Sequence, residues 1–350
     1  MTKKYAFLTV FLCSMCPVLM AGDPTLDRLI ENMSTSDANV RAKAKHQLHY
    51  LCRRGHDDLL HTYLKSEKTE QRYAAVIVAS SIKPSKETLD LVASCLSEED
   101  SALKRQAAKC LGGYKNKSAS EYLAKALSGD AITRIVVMDA IATGGQDVGA
   151  SVLAAQLKDT DFRVRFSAAN ALYLCKASGQ ESALKAALSV EKENTGGILY
   201  TKYKEKIIVV LQASLLIAGD SEGKEMVSSF VSEDSWVRDT IVEAHVIAKD
   251  KSLVPVCFKT MTNKNEYIRQ SAAKGLTALS EVKDIPKILD LINTEVKPEV
   301  RQELSNSLRR LSGLNYGYNG YASKALRDAA ETRWREWWKN NAYRYKIDTE

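Results

Sequence analysis

The sequence predicts an all-α protein: an α-solenoid, or superhelix, of about nine helix hairpins that ends in an aromatic capping helix. The main observation is a basic residue that recurs at one place of a helical pattern in steps of 30 to 32 residues, with a single gap of 73 residues that corresponds to two periods and an insertion. A period near 30 residues is typical of stacked repeats. The recurring positions are Arg41, Arg72, Lys104, Arg134, Arg165, Arg238, Arg269 and Arg301.

A potential helix cap precedes most of these basic residues by four positions. Asp and Asn side chains accept hydrogen bonds from the free backbone N–H groups at a helix N-terminus. We therefore expect one helix of each unit to begin at these residues. They are Asp37, Asp100, Asp130, Asp161, Asp234 and Asn265.

Apolar residues recur three and seven positions after the basic residue. These offsets lie on one face of a helix, which we expect to be buried. A second apolar segment precedes each cap, so each unit is expected to contain two helices that bury their apolar faces by stacking on neighbouring units. The apolar positions are Ala44, Ala75, Ala107, Val137, Ala168, Ile241, Ala272, Leu304, Leu48, Ala79, Leu111, Ile141, Leu172, Leu276 and Leu308.

The repeated unit, D-x-x-V-R-x-x-A-x-x-x-L, resembles the HEAT repeat in the short bacterial form that is also seen in phycobilisome-lyase-like repeat proteins. The resemblance covers roughly residues 24–313, and it departs from the pattern where Lys68 replaces the capping acid. It implies that the acidic and basic positions form a structural ladder that joins neighbouring units. The ladder residues are Asp37, Arg41, Arg72, Asp100, Lys104, Asp130, Arg134, Asp161, Arg165, Asp234, Arg238, Arg269 and Arg301.

The N-terminus predicts export. Lys3 and Lys4 precede an apolar run from Tyr5 to Met20, which is followed by Ala21. The run of 16 residues is shorter than the roughly 20 needed to span a bilayer. We expect residues 1–21 to be a cleaved signal peptide and the protein to reach the periplasm or cell envelope, with membrane attachment only if the signal stays uncleaved.

Three regions are candidates for a site. His46, His49 and Cys52 are spaced by three, so a helix would bring imidazole and thiolate ligands together as zinc requires. This spacing matches no structural zinc motif, and a polar helix surface with a packed cysteine is the favoured interpretation. No metal or other cofactor is therefore expected.

The second candidate is the exposed face of the repeats, five positions after the basic residue. The polar residues there carry both signs of charge, which favours a protein or peptide partner over nucleic acid. A polar insertion, residues 191–203, is an alternative binding surface because insertions in solenoids usually form loops on one face. The groove residues are His46, Lys109, Asp139, Asn170, Glu243, Lys274 and Asn306.

The third candidate is the C-terminal segment, residues 314–350. Trp334, Trp337 and Trp338 share one helix face and are three of the four tryptophans in the chain. We expect residues 24–313 to form the solenoid itself. A bulky aromatic helix after it would cover the open face of the last repeat. The alternative role for these rings is ligand stacking.

These observations favour a non-enzymatic protein-binding scaffold or adaptor of the bacterial cell envelope. Two alternatives stay open. The family resemblance includes lyases and DNA glycosylases, so an enzyme on a HEAT-like scaffold is one of them, and a purely structural spacer is the other.

Overall fold

The structure is a computed structural model that describes residues 24–33, 35, 37–53, 57–145 and 149–345. The expected signal peptide, residues 1–21, lies outside this part of the chain. The described residues form α-helices and 3₁₀ segments without any β-strand, and the predicted all-α solenoid fold is confirmed. The chain divides into two compact units, the first ending at Leu153 and the second beginning at Ala154.

The first unit consists of successive helix pairs in which the second helix carries the recurring basic residue. The pairs are α1 (Pro24–Met33) with α2 (Ala38–Arg53), α3 (Asp57–Leu64) with α4 (Thr69–Ala79), α5 (Lys86–Ser94) with α6 (Ser101–Gly113), and α7 (Lys117–Lys125) with α8 (Ala131–Gly144). A short 3₁₀ segment, Cys95–Ser97, follows α5, and the boundary between the units falls within α9 (Ala150–Gln156).

The second unit continues the same order. It contains α10 (Phe162–Leu174), α11 (Glu181–Glu193), α12 (Ile198–Ile217), a 3₁₀ segment (Ser221–Val231), α13 (Ser235–Ala248), α14 (Leu253–Thr260), α15 (Glu266–Leu279), a 3₁₀ turn (Val282–Asp284), α16 (Ile285–Thr294), α17 (Pro298–Ser312), α18 (Lys324–Asn341) and a last 3₁₀ segment (Ala342–Tyr345). If Ser221–Val231 is counted as the partner of α13, the described residues form nine successive pairs before α18. No helix in the described ranges is both long and apolar enough to cross a membrane.

The caps lie where the sequence places them. The Asp100 carboxylate accepts from the backbone N–H of Leu103 at 2.7 Å, and Asp130 accepts from that of Thr133 at 3.0 Å. These bonds satisfy N–H groups that have no partner within the helix. The side chains of Asp37, Asp161, Asp234 and Asn265 accept from backbone N–H groups two residues further on.

The predicted apolar face is buried at all fifteen of the positions named above, three or seven residues after the basic residue, which confirms the periodicity. Small residues let the helices of this face approach closely. A Cβ atom added to Gly112 of α6 would lie 2.5 Å from the carbonyl oxygen of Ala140 in α8. His245 takes the seven-after position in α13, is 0% exposed, and bonds through Nδ1 to the carbonyl of Ile241 at 2.8 Å.

Five of the recurring arginines contact the helix pair or segment that follows their own, and these are Arg72, Arg165, Arg238, Arg269 and Arg301. One terminal guanidinium nitrogen binds a backbone carbonyl five or six residues earlier, in the turn of its own pair, as Arg72 does with Ser66 at 2.5 Å. The other nitrogens reach the following pair, where Arg72 binds Glu98 at 3.1 Å and Arg269 binds Glu295 at 2.8 Å. The same turn contact is made by Arg41, Arg134, Arg165, Arg238, Arg269 and Arg301.

The acidic partners in this ladder differ from the expected aspartates. A capping carboxylate is held at its own helix terminus, so Asp161 pairs with its neighbour Arg163 at 2.6 Å instead of with Arg165. The glutamates 26 residues after an arginine supply the negative charge, and these are Glu98, Glu191 and Glu295. Asp234 also joins two pairs, through Lys206 at 2.9 Å. The gap of 73 residues between Arg165 and Arg238 leaves one unit without a recurring arginine, and Lys206 of α12 takes that place. Lys104, the other lysine in the series, is half-buried in α6.

The C-terminal segment packs on the last helix pair. Arg301, the final ladder arginine, donates to the carbonyl of Gly320 at 3.0 and 2.8 Å, and Arg335 of α18 pairs with Asp290 of α16 at 3.0 Å. Trp334 is 1% exposed and meets the Tyr316 ring edge-on at 4.8 Å. The tryptophans do not share one environment, because Trp337 and Trp338 are only half-buried and pack with Tyr345.

Candidate partner-binding surface

The insertion is mostly helical, which corrects the expectation of a loop over residues 191–203. Glu193 ends α11, residues 194–197 form the turn, and α12 starts at Ile198. The Lys204 ammonium donates to the backbone carbonyls of Lys192 at 3.0 Å and Asn194 at 2.7 Å. A cation is favourable at the C-terminal end of a helix, so this contact holds the start of α12 against the end of α11.

A buried carboxylate fixes the turn between α11 and α12. Glu191 is 1% exposed and accepts from Arg165 Nε at 2.5 Å and from the Tyr200 hydroxyl. Arg165 also donates to the carbonyls of Asp159 at 2.9 Å and Thr160 at 3.1 Å. Burial and the contact with Glu191 raise the pKa of the Tyr200 hydroxyl, so the hydroxyl remains a donor. Because breaking a buried ion pair costs about 3–5 kcal/mol, the turn is held in one position.

A cleft of about 460 Å³ opens beside this turn. It is lined by Thr160, Phe162, Asn194 and the residues from Gly196 to Tyr200. Gly196 has a φ of +26°, and a Cβ atom there would lie 2.0 Å from a ring carbon of Tyr200. The glycine therefore lets the tyrosine ring pack directly against the turn.

Two large aliphatic side chains are exposed to solvent at the start of α12. Ile198 is 85% exposed and Leu199 is 70% exposed, although both belong to an ordered helix. Tyr203, one turn later, is 38% exposed. A single exposed aliphatic residue is ordinary, whereas a contiguous apolar patch marks an interaction site.

An aromatic row continues this patch across three helices. It consists of Phe162 and Phe166 of α10, Tyr203 of α12 and Trp236 of α13. The ring of Tyr203 lies 5.3 Å from that of Phe162 and 5.7 Å from that of Phe166, and Phe166 lies 5.6 Å from Trp236. The Lys206 ammonium lies 5.6 Å from the Trp236 ring, at cation–π distance. We call the aromatic row together with Ile198 and Leu199 the aromatic surface.

The expected groove residues are all accessible. In the first unit His46, Lys109 and Asp139 are exposed; in the second unit Glu243 and Lys274 are exposed, while Asn170 and Asn306 are half-exposed. They form local polar contacts, such as that of Lys274 with Asp239 at 3.6 Å. Exposed apolar side chains also lie about one helical turn after three of these residues, since Tyr50 follows His46, Leu174 follows Asn170 and Val246 follows Glu243.

The three residues considered as zinc ligands differ in how far they are exposed. His46 is exposed and His49 half-buried on α2, and the side chain of Cys52 lies outside the described part of the structure. Within the described residues no three His, Cys, Asp or Glu side chains are grouped as metal ligands.

Sequence reasoning missed the aromatic surface because its rings come from helices far apart in the chain. A usable signal existed: Phe162 and Phe166 are one helical turn apart, and Trp236 follows the cap of its own unit by two positions. The C-terminal tryptophans could be predicted as a cluster because they lie within five residues of one another in the sequence.

Comparison with known proteins identifies the repeats. A family model described as HEAT repeats matches residues 57–142 and 225–309. The chain contains HEAT repeats. The matched ranges correspond to α3–α8 and to the helices from the second 3₁₀ segment to α17. The four helices from α9 to α12 lie between them. The insertion and most of the aromatic surface therefore lie between the two matched ranges.

Among solved structures, the chain is similar to YibA of Escherichia coli, known from an X-ray structure. The two sequences are 18% identical, the TM-score is 0.49, and the match covers 77% of this chain and 97% of YibA. A search among curated proteins finds no match.

Proposed function

We propose that this HEAT-repeat chain is a non-enzymatic protein-binding scaffold that holds its partner on the aromatic surface. The observation that carries the proposal is the exposure of Ile198 and Leu199, at 85% and 70%, at the start of a helix whose preceding turn is fixed by a buried ion pair. A contiguous exposed apolar patch marks an interaction site, and the neighbouring Tyr203 and Trp236 are of the residue types enriched in interface hot spots. The cleft of about 460 Å³ next to the pair can receive an apolar side chain of the partner.

We further propose that the protein acts in the bacterial cell envelope. The support is the sequence of residues 1–21, with Lys3 and Lys4 before an apolar run. Cell fractionation followed by mass spectrometry of the N-terminus tests this proposal. An exported chain that begins near Gly22 supports it, and a full-length chain in the cytosol contradicts it. The enzyme and the structural spacer remain predictions that no observation favours.

Site-specific crosslinking tests the aromatic surface. A photoreactive phenylalanine analogue at position 199 should crosslink one envelope protein, whereas the same analogue at position 296 should not. Val296 is a suitable control because it is 74% exposed and lies in the turn before α17. Equal crosslinking from both positions would contradict the proposal.

The matched affinity test uses two pairs of substitutions. Ile198→Ser with Leu199→Ser should weaken binding of the crosslinked partner by at least about 100-fold, because burying each aliphatic side chain contributes about 1.5–3 kcal/mol. Val231→Ser with Val296→Ser removes a similar exposed apolar area, 53% and 74% exposed, from the same unit. This second pair should leave the affinity unchanged.

A further inference from the structure

The second unit has a larger cleft on the side where α13, α15 and α17 end. Its volume is about 990 Å³, and its apolar wall includes Val246, Leu279, Val282, Leu311 and Tyr345. Val246 and Tyr345 remain 42% and 39% exposed. None of the residues of the aromatic surface lines this cleft, so the two surfaces are separate.

Positive charge dominates the lining of this cleft. Lys249, Lys251, Lys283 and Arg310 line it, and Glu281 is the one acidic side chain among the lining residues. Glu281 is already engaged, since it accepts from Lys251 at 2.5 Å and from Lys283 at 3.0 Å. Each of the three helix ends adds roughly half a negative charge, which reduces the excess of three positive side-chain charges without cancelling it.

Arg310 is a partly desolvated cation with neutral partners. One of its terminal nitrogens donates to the Ser280 carbonyl at 2.5 Å and lies 3.2 Å from the Ser280 hydroxyl. Burial lowers the pKa of the guanidinium, and no carboxylate offsets that effect. A carboxylate brought to this position would therefore meet an unneutralised, preorganised donor.

Lys249 adds a second cation without an ion pair in the described structure. It ends α13 with a φ of 53°, in the left-handed region that favours glycine. Lys115 and Lys176 take the same backbone conformation after α6 and α10, with φ values of 51° and 50°. Attraction between an ammonium group and a helix C-terminus explains a lysine at all three positions. Only Lys249 of these three lines the cleft.

We propose that this cleft binds an acidic segment of a protein partner. Carboxylates of the segment meet Lys249 and Arg310, and an apolar side chain packs against Val246 and Leu279. The charge excess selects the acidic groups, and the apolar wall selects a peptide over a simple inorganic anion. The inference goes beyond the aromatic surface and stands or fails separately from it, because it concerns different residues and a different probe.

The test is fluorescence anisotropy of the full chain with a labelled peptide of alternating glutamate and leucine. A peptide with glutamine in place of each glutamate is the comparison. We expect the acidic peptide to bind at least about 10-fold more tightly and to weaken as salt is raised, because exposed ion pairs are screened.

The matched variants are Lys249→Gly and Lys176→Gly. Both remove one charge and place glycine where φ is positive, so both should fold. Lys249→Gly should weaken binding of the acidic peptide by up to about five-fold, and Lys176→Gly should leave it unchanged. Arg310→Gln should weaken binding by about 10-fold, because its guanidinium is partly desolvated.

Four results would overturn the proposal. These are equal binding of the glutamine peptide, equal effects of the two lysine variants, binding of an oligothymidylate in preference to the peptide, and peptide binding only after residues 346–350 are deleted. The last result would identify the occupant as this chain's own segment, which carries Asp348 and Glu350.

Discussion

Glu191→Gln removes a buried negative charge and leaves the guanidinium of Arg165 buried without the partner of its ion pair. The two side chains are 2% and 11% exposed, and the Tyr200 hydroxyl is the second donor to the carboxylate. A hydrogen bond to a charged group contributes about 1.5–3 kcal/mol, and the glutamine oxygen can still accept one neutral bond. Breaking a buried pair costs about 3–5 kcal/mol. We therefore expect the free energy of unfolding of the second unit to fall by about 3 kcal/mol.

Urea unfolding followed by tryptophan fluorescence measures this loss selectively. All four tryptophans of the chain, Trp236, Trp334, Trp337 and Trp338, belong to the second unit. With a denaturant slope of about 2 kcal/mol per molar urea, the midpoint should fall by about 1.5 M. A fall of less than about 0.5 M would refute the reasoning that this ion pair holds the turn between α11 and α12.

The control is Glu98→Gln, the equivalent acid of the first unit. Its ion pair with Arg72 is more accessible, with side chains 38% and 13% exposed, so its loss should cost less than about 1 kcal/mol. The fluorescence midpoint should stay unchanged because the first unit has no tryptophan. An equal shift of the fluorescence midpoint in both variants would contradict the premise that this signal reports the second unit alone.

Three further predictions concern the second unit. Burial lowers the pKa of His245 from 6.5, so below about pH 6.5 the unfolded chain takes up a proton that the folded chain excludes. The urea concentration at the unfolding midpoint should therefore decrease as the pH is lowered from 7.5 to 5.5. His245→Gln should make this midpoint less dependent on pH. Gly223→Ala should cost about 1–3 kcal/mol in thermal unfolding, because the added Cβ would lie 2.3 Å from the backbone nitrogen of Leu216. Gly197→Ala, with nothing within 4 Å, should cost much less. Burial raises the pKa of the Cys257 thiol to about 12, so a thiol reagent at pH 8 should modify it only after unfolding, and rapid labelling of the native protein would contradict this.

The sequence by itself determined the features that depend on one helix. The period, the helix starts at residues such as Asp100 and Asp130, and the burial of residues such as Ala107 follow from backbone hydrogen bonding and from the 3.6-residue turn. The face that a repeat buries is fixed by its own pattern, whichever neighbour covers it. These features depend on residues that are close together in the chain, so the sequence alone is enough to predict them.

The tertiary structure decided which side chains meet across helices. The sequence could propose that Arg165 joins neighbouring pairs, but not that its partner is Glu191, because the stacking of two helix pairs sets that distance. The meeting of Phe166, Tyr203 and Trp236 has the same cause, since three separate helices must pack before their rings touch. Contacts between elements depend on how helices stack and on side-chain rotamers, and neither is encoded in a local pattern.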